Sequence, residues 1–191
     1  MKKLILGTLF STSLVFVLSI FSGCLYASVA NNANSMSLSK GNLNGSRDAL
    51  INYCNFIQNN SKTIKASQSS IDIMHESRLY SNYDPIIMKT YTKGFAIENI
   101  ELLKWNFEHY KTDSIKIKKI NNFMIEYAKN IINAYELYYK CLNQIKYDKK
   151  SKTNIQFYTY DQMQQINLHM KNATSAMHNW EQSMIQMSSR S

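Results

Sequence analysis

Proline occurs once and glycine five times in 191 residues. The tight turns of a β-sandwich or barrel draw on those two residues, and nucleotide-binding α/β folds need glycine-rich phosphate loops, so both architectures are excluded. Cysteine occurs three times, too rarely for a disulfide-framework mini-protein. Charged residues make up 18% of the chain and apolar residues 45%, a balance too apolar for intrinsic disorder. One helical domain with a real core remains. The chain also lacks His-Glu-x-x-His, Gly-x-Ser-x-Gly, Walker loops and the Cys-x-x-Cys-His of covalent haem attachment. Catalysis is therefore not expected, and no cofactor is expected.

The N-terminus has a distinct pattern. Met1, Lys2 and Lys3 precede an apolar run from Leu4 to Phe21 diluted by Gly, Ser and Thr, which reads as an export signal. Phe21-Ser22-Gly23-Cys24 places a small pair directly before a cysteine and resembles the lipobox of bacterial lipoproteins, with Phe21 where that family usually has Leu. The resemblance covers the first 24 residues only. It implies acylation of Cys24, removal of residues 1–23 and firm anchoring, since more than one acyl chain makes membrane attachment stable. The absence of Asp after Cys24 leans toward an outer-membrane address. Ser28-Val29-Ala30 is a competing pattern, with small residues suited to signal-peptidase cleavage after residue 30 and a soluble secreted product. A third reading is an uncleaved anchor, because the run just reaches the ~18 residues of a spanning helix. Residues 24–45 are rich in Ser and Asn without apolar periodicity and read as a flexible tether.

From residue 46 to residue 191 the apolar residues recur at spacings of three and four, the signature of helical faces. Helix 1 is expected to present Leu50, Cys54, Ile57, Ser61, Ile64, Gln68, Ile71, His75 and Arg78, with a break or bend at Asn59-Asn60-Ser61. Asp84-Pro85 is a helix start. Helix 2 then reads Met88, Tyr91, Phe95, Glu98, Leu102, Trp105 and His109, with Ile97, Ile100 and Phe107 on its other side; with both faces apolar it is either centrally buried or in contact with a partner, for which Ile97, Ile100 and Phe107 are the candidate surface. Helix 3 runs through Ile117, Ile120, Met124, Tyr127, Ile131, Ala134, Tyr138, Cys141 and Ile145, capped by Asp113. Helix 4 runs through Met163, Ile166, Met170, Ala173, Met177, Trp180, Met184 and Met187, capped near Thr159 or Asp161. Ile155, Phe157 and Tyr158 are expected to pack on one end. The fold expected is all-α, an antiparallel up-down-up-down four-helix bundle, or a long helical hairpin in which helices 2 and 3 fuse.

Outside the cytoplasm Cys54 and Cys141 are free to form a disulfide. The bundle topology sets them on the order of 30 Å apart, beyond the ~7 Å a bridge allows, so two buried thiols acting as small hydrophobes are the competing expectation. Met74, His75, Met88, Cys141 and Met163 fall at one end of such a bundle, and soft sulfur with imidazole suits Cu(I). A methionine stripe at helical spacing is also ordinary core filler. Glu98 is the carboxylate whose seam position would bury it and raise its pKa.

The net charge is +9 and becomes +7 once Lys2 and Lys3 leave with the signal. Lys116, Lys118 and Lys119 open helix 3, and Lys146, Lys149 and Lys150 close it. They suit anionic headgroups or an acidic protein, or a solvated face. Nucleic acid is not an expected partner. The reading is a non-enzymatic envelope lipoprotein or secreted accessory protein that binds an envelope or secreted protein, touches the membrane through its lipid or through headgroups, and is open to oligomerisation. Abundant Asn, Ile, Lys and Tyr beside three Arg look like an AT-rich genome, as in several intracellular pathogens, so a virulence or secretion-system role is an analogy of composition. A periplasmic metal or haem binder and a small envelope enzyme are the alternatives.

Overall fold

The computed structural model describes residues 43–79, 85–144, 146–148, 153–155 and 159–189, with side chains described over 47–74, 87–144 and 159–189. The export segment, Cys24 and the tether up to residue 42 lie outside these residues. Helix α1 spans Leu43–Asn59 and α2 Ser61–Leu79. Asn60 forms the turn between them, and its carbonyl accepts from Ile64 N at 3.0 Å. Helix α3 covers Pro85–Tyr91, a π-helical segment Thr92–Ile97 follows without interruption, and α4 covers Glu98–Glu108. Helix α5 spans Ile115–Gln144 and α6 spans Tyr160–Ser188. Between α5 and α6, the short strands β1 (Lys146–Asp148) and β2 (Thr153–Ile155) pair antiparallel, Lys146 opposite Ile155. Apart from this hairpin and short connections such as 109–114, the described residues are helical, so the chain is all-α. The fused helical hairpin does not form: α4 ends at Glu108 and α5 starts at Ile115.

The helix ends follow from local chemistry. Ser114, rather than Asp113, caps α5: its Oγ accepts from Ile117 N at 3.4 Å, because a cap must sit three residues before the orphan amide it satisfies. At α6, Thr159 Oγ1 accepts from Gln162 N at 3.2 Å, while Gln162 Oε1 accepts from Thr159 N at 3.1 Å. That is a reciprocal capping box. Helix α1 begins at Leu43, so the last tether residues are helical. Helix α5 stops at Gln144, and Lys146 belongs to a strand. The side chain of Ile155, and Phe157 and Tyr158, lie outside the described residues.

The chain forms two compact units. One gathers, among described residues, 43–59, 112–120 and 179–189. Its buried side chains include Leu50, Tyr53, Cys54 and Ile57 of α1, Ile117 and Ile120 of α5, and Trp180 and Met184 of α6. The Trp180 indole Nε1–H donates to the Tyr53 hydroxyl at 3.2 Å, and the Tyr53 ring stacks beside Phe56 with centroids 6.1 Å apart. Burial of each large apolar side chain contributes about 1.5–3 kcal/mol.

The other unit holds residues 60–111 and 121–178. Its core takes Ile64, Ile71 and Met74 from α2, Ile100, Leu103 and Phe107 from α4, Met124 through Leu142 on two faces of α5, and Ile166, Ala173 and Met177 from α6. Two serines outside the expected seam enter this core. Ser67 and Ser70 are buried, whereas Gln68, placed on the seam by spacing, is only half-buried. Both serines satisfy their hydroxyls against the helix itself: Ser67 Oγ donates to Ile64 O at 2.7 Å and Ser70 Oγ to Ala66 O at 2.8 Å. A serine so bonded enters a core at little cost.

Candidate functional site: an exposed aromatic strip on α4

The inner face of the third helical run is not the expected one. Met88, Thr92, Ala96, Ile100, Leu103 and Phe107 are buried, so Ile100 and Phe107, assigned to a partner-binding side, belong to the core, and Ile97 is half-buried. Conversely Phe95, Leu102 and Trp105, assigned to the core, are 47%, 51% and 55% exposed, and Glu98 and His109 are exposed with them. The cause is the π-helical segment. Its i→i+5 bonding admits one more residue per turn, so Met88, Thr92, Ala96 and Ile100 stay on one face although each is four residues from the last. An α-helix would carry the same residues progressively round its axis. The signal was present as that repeated spacing of four, with Gly94 inside it, but the 3,4 reading competed with it and led to the opposite face.

The strip is ordered by its own contacts. Trp105 and His109 stack with centroids 4.2 Å apart, and His109 Nδ1 donates to the Trp105 carbonyl at 2.8 Å. Tyr91 and Phe95 meet at 5.4 Å, and Asn99 Nδ2 donates to the Phe95 carbonyl at 2.6 Å. On the flank, Lys104 Nζ lies 2.9 Å and Lys129 Nζ 3.8 Å from the Glu108 carboxylate. The hydrogen bond from Lys104 is the main influence holding that carboxyl below its usual range. Glu98 and Glu101 are exposed near one end of the strip and Lys111 near the other. Glu98, expected to be buried on the seam, is thus open to solvent.

The larger unit also holds a group of hydroxyls that are mostly buried. Ser67 Oγ and the Tyr127 hydroxyl share a hydrogen bond at 3.1 Å, and the Tyr91 hydroxyl donates to Ser70 Oγ at 3.1 Å. Tyr135 has Ser70 and Tyr91 as electrostatic neighbours, although its buried hydroxyl forms no hydrogen bond of ordinary geometry, as is also true of Thr92 Oγ1 in the π-helical segment. Burial pushes the phenols of Tyr127 and Tyr135 well up from their ordinary value. Both are neutral near pH 7 and neither serves as a general base there.

The remaining residues singled out in the sequence differ in burial. Cys54 and Cys141 are buried, each as a thiol rather than half of a disulfide. Met74, Met88 and Cys141 are buried and Met163 is half-buried, while the His75 side chain lies outside the described residues. Among the described residues no group of three or more His, Cys, Asp or Glu side chains is arranged to hold a metal ion. Lys116, Lys118 and Lys119 are exposed on the first turns of α5. The Lys146 side chain, Lys149 and Lys150, like Cys24, lie outside the described residues. Among the described residues no helix is long and apolar enough to cross a membrane. No protein-family model, curated protein or solved structure matches the chain.

Proposed function

We propose that this protein is a non-enzymatic accessory protein of a bacterial envelope, exported by its N-terminal segment and acting by binding another protein through the exposed face of α4. One observation carries the reading: Phe95, Leu102 and Trp105 lie open on a helix whose opposite face, Ile100, Leu103 and Phe107, already supplies the core. Isolated exposed apolar residues are ordinary, but three on one helical face, including a Trp, mark an interaction surface. The export reading rests on the basic start, the apolar run and the lipobox-like Phe21-Ser22-Gly23-Cys24.

The arrangement proposed for the helices is up-down-up-down. Within the larger unit, Asn106 Nδ2 donates to Asn60 Oδ1 at 2.8 Å and Tyr91 reaches Ser70, so residue numbers rise along α2 as they fall along α3 and α4. Asn121 Nδ2 donates to the Phe107 carbonyl at 2.7 Å, and Gln162 Nε2 to Gln144 Oε1 at 3.4 Å, which supports reversals at the α4–α5 and α5–α6 connections.

Intact-mass measurement of the protein from membrane and soluble fractions tests the export reading. A mass beginning at acylated Cys24 supports the lipoprotein form and one beginning at Asn31 the secreted form. An unprocessed chain confined to the cytoplasm would overturn both. For the binding face, a photoreactive residue in place of Trp105 should give a discrete crosslinked protein product, and the same residue at the exposed Lys171 should not.

A further inference from the structure

The first turns of α5 carry a second exposed surface. Ile115 opens the helix and is 82% exposed. Lys118 and Lys119, three and four residues on, are exposed on the same face with Lys116 beside them, while Ile117 and Ile120 are buried on the other side. Three lysines within the first five residues stand at the positive end of the helix dipole, and no acidic residue in that turn offsets them. Asp113 is exposed just before the helix, but Ser114 supplies the cap. Ahead of Asp113 the chain adds His109 and Lys111, and the next charges on α5 after Lys119 are Glu126 and Lys129, one of each sign. The other charges of this compact unit, among the described residues, are Arg47 and Asp48, adjacent on α1 and opposite in sign, and Glu181 of α6, which has one carboxylate oxygen buried. An occupant has to meet an apolar tip and a cationic collar together. An acidic peptide would satisfy the lysines and leave Ile115 in water. An anionic bilayer meets both, because its headgroups take the ammonium groups, the lysine stems lie along the apolar boundary, and the tip enters it.

We propose that the first turns of α5 dock on a bilayer bearing anionic phospholipids, with Ile115 entering the boundary between headgroups and acyl chains and Lys116, Lys118 and Lys119 engaging the phosphates around it. Lysines that oppose the dipole in water gain counter-charges there, so docking relieves the repulsion carried by the helix start. The surface shares no residue with the strip on α4 and does not depend on what α4 binds.

The test uses the full chain reconstituted in vesicles, with an environment-sensitive fluorescent amino acid in place of Ile115, so that the readout is the depth of this residue rather than attachment of the chain. In equimolar phosphatidylcholine and phosphatidylglycerol its emission should shift to the blue and be quenched by brominated acyl chains. In phosphatidylcholine alone it should do neither, and high salt should reverse the response on the anionic vesicles. Lys116→Gln with Lys118→Gln and Lys119→Gln should lower the ratio of docked to undocked chain at least about tenfold, and Asp113→Asn should raise it about threefold. These positions are exposed, and thermal melts by circular dichroism check that each variant keeps its fold. The same fluorescent residue in place of Lys171, exposed on α6, should stay in water on both vesicles. Equal quenching on the two vesicle types, quenching on neither, or a triple variant that docks as well as the wild type would overturn membrane docking. If the probe stays in water and a photoreactive residue in place of Lys118 crosslinks an acidic protein, the lysines serve a protein partner and the proposal fails, with the reading of α4 untouched.

Discussion

Trp180 can donate one hydrogen bond and accept none, and its donor is spent on the buried Tyr53 hydroxyl. Tyr53→Phe keeps the ring and leaves the indole N–H stranded in the core. Stability should fall by about 1–3 kcal/mol, read as a lower urea midpoint with an unchanged slope. The buried phenols make a prediction in pH. Tyr127 and Tyr135 have pKa values raised in the folded protein, chiefly by burial, against an unfolded value of about 10. Their contribution is therefore fully present below about pH 10 and is lost above it, because there the unfolded chain releases protons that the folded chain retains. Each group should remove about 1.4 kcal/mol per pH unit as pH rises beyond that point. Tyr127→Phe should make the decline between pH 10 and 11 shallower by about that amount, measured by urea titration at each pH; an identical slope would place Tyr127 in solvent. Ser67 and Ser70 show why residue type alone misjudged part of the α2 seam. A hydroxyl bonded to its own helix no longer behaves as a polar group, and sequence spacing does not report whether that bond forms.

Among the elements, α5 and α6 were the most legible. The expected α5 residues from Ile117 to Cys141 are buried, because their uninterrupted 3,4 spacing follows one stripe of the helix, although Ala128, Tyr135 and Leu142 add a second buried stripe beside it. On α6, Ile166, Ala173, Met177, Trp180 and Met184 are buried while Met163, Met170 and Met187 are half-buried. The α6 cap was legible as well. Thr159→Ala would break the capping box with Gln162 and should cost about 1 kcal/mol, with faster amide exchange confined to the first turn as its signature. The π-helical segment is the element where sequence reading failed. Two faces of residues 88–109 carry apolar side chains, and choosing between them depends on whether the helix keeps α winding, which the packing around Met88, Thr92 and Ala96 decides. Deleting Gly94 converts the buried series Met88, Thr92, Ala96, Ile100, Leu103, Phe107 into alternating spacings of four and three. An ordinary α-helix then suffices, and Gly94 has no neighbour within 4 Å of an added Cβ that would hold it in place. The deletion should leave the protein folded and within about 1 kcal/mol of wild-type stability, measured by thermal melting, whereas deleting Ile100 from the core should unfold it.

For the whole molecule, the proposed address rests on the sequence of residues 1–24. If Cys24 is the acylation site, Cys24→Ala should move the protein from the membrane pellet to the soluble fraction, scored by immunoblot, while its helical circular dichroism stays unchanged. Retention in the pellet would point instead to the apolar run Leu4–Phe21 as an uncleaved anchor. That the chain is helical was already legible in one proline, five glycines and long 3,4 patterns, since these are local properties that can be read without knowing the packing partners. Helix starts at Pro85 and after Thr159 belong with them, being set by the chemistry of a few adjacent residues. Which face of α4 meets the core, which serines enter it, and how the described residues divide into two compact units were decided only on folding. Those outcomes depend on volume and hydrogen-bond satisfaction among residues far apart in the chain, and one extra residue in a helical turn was enough to exchange the buried face of α4 for the exposed one.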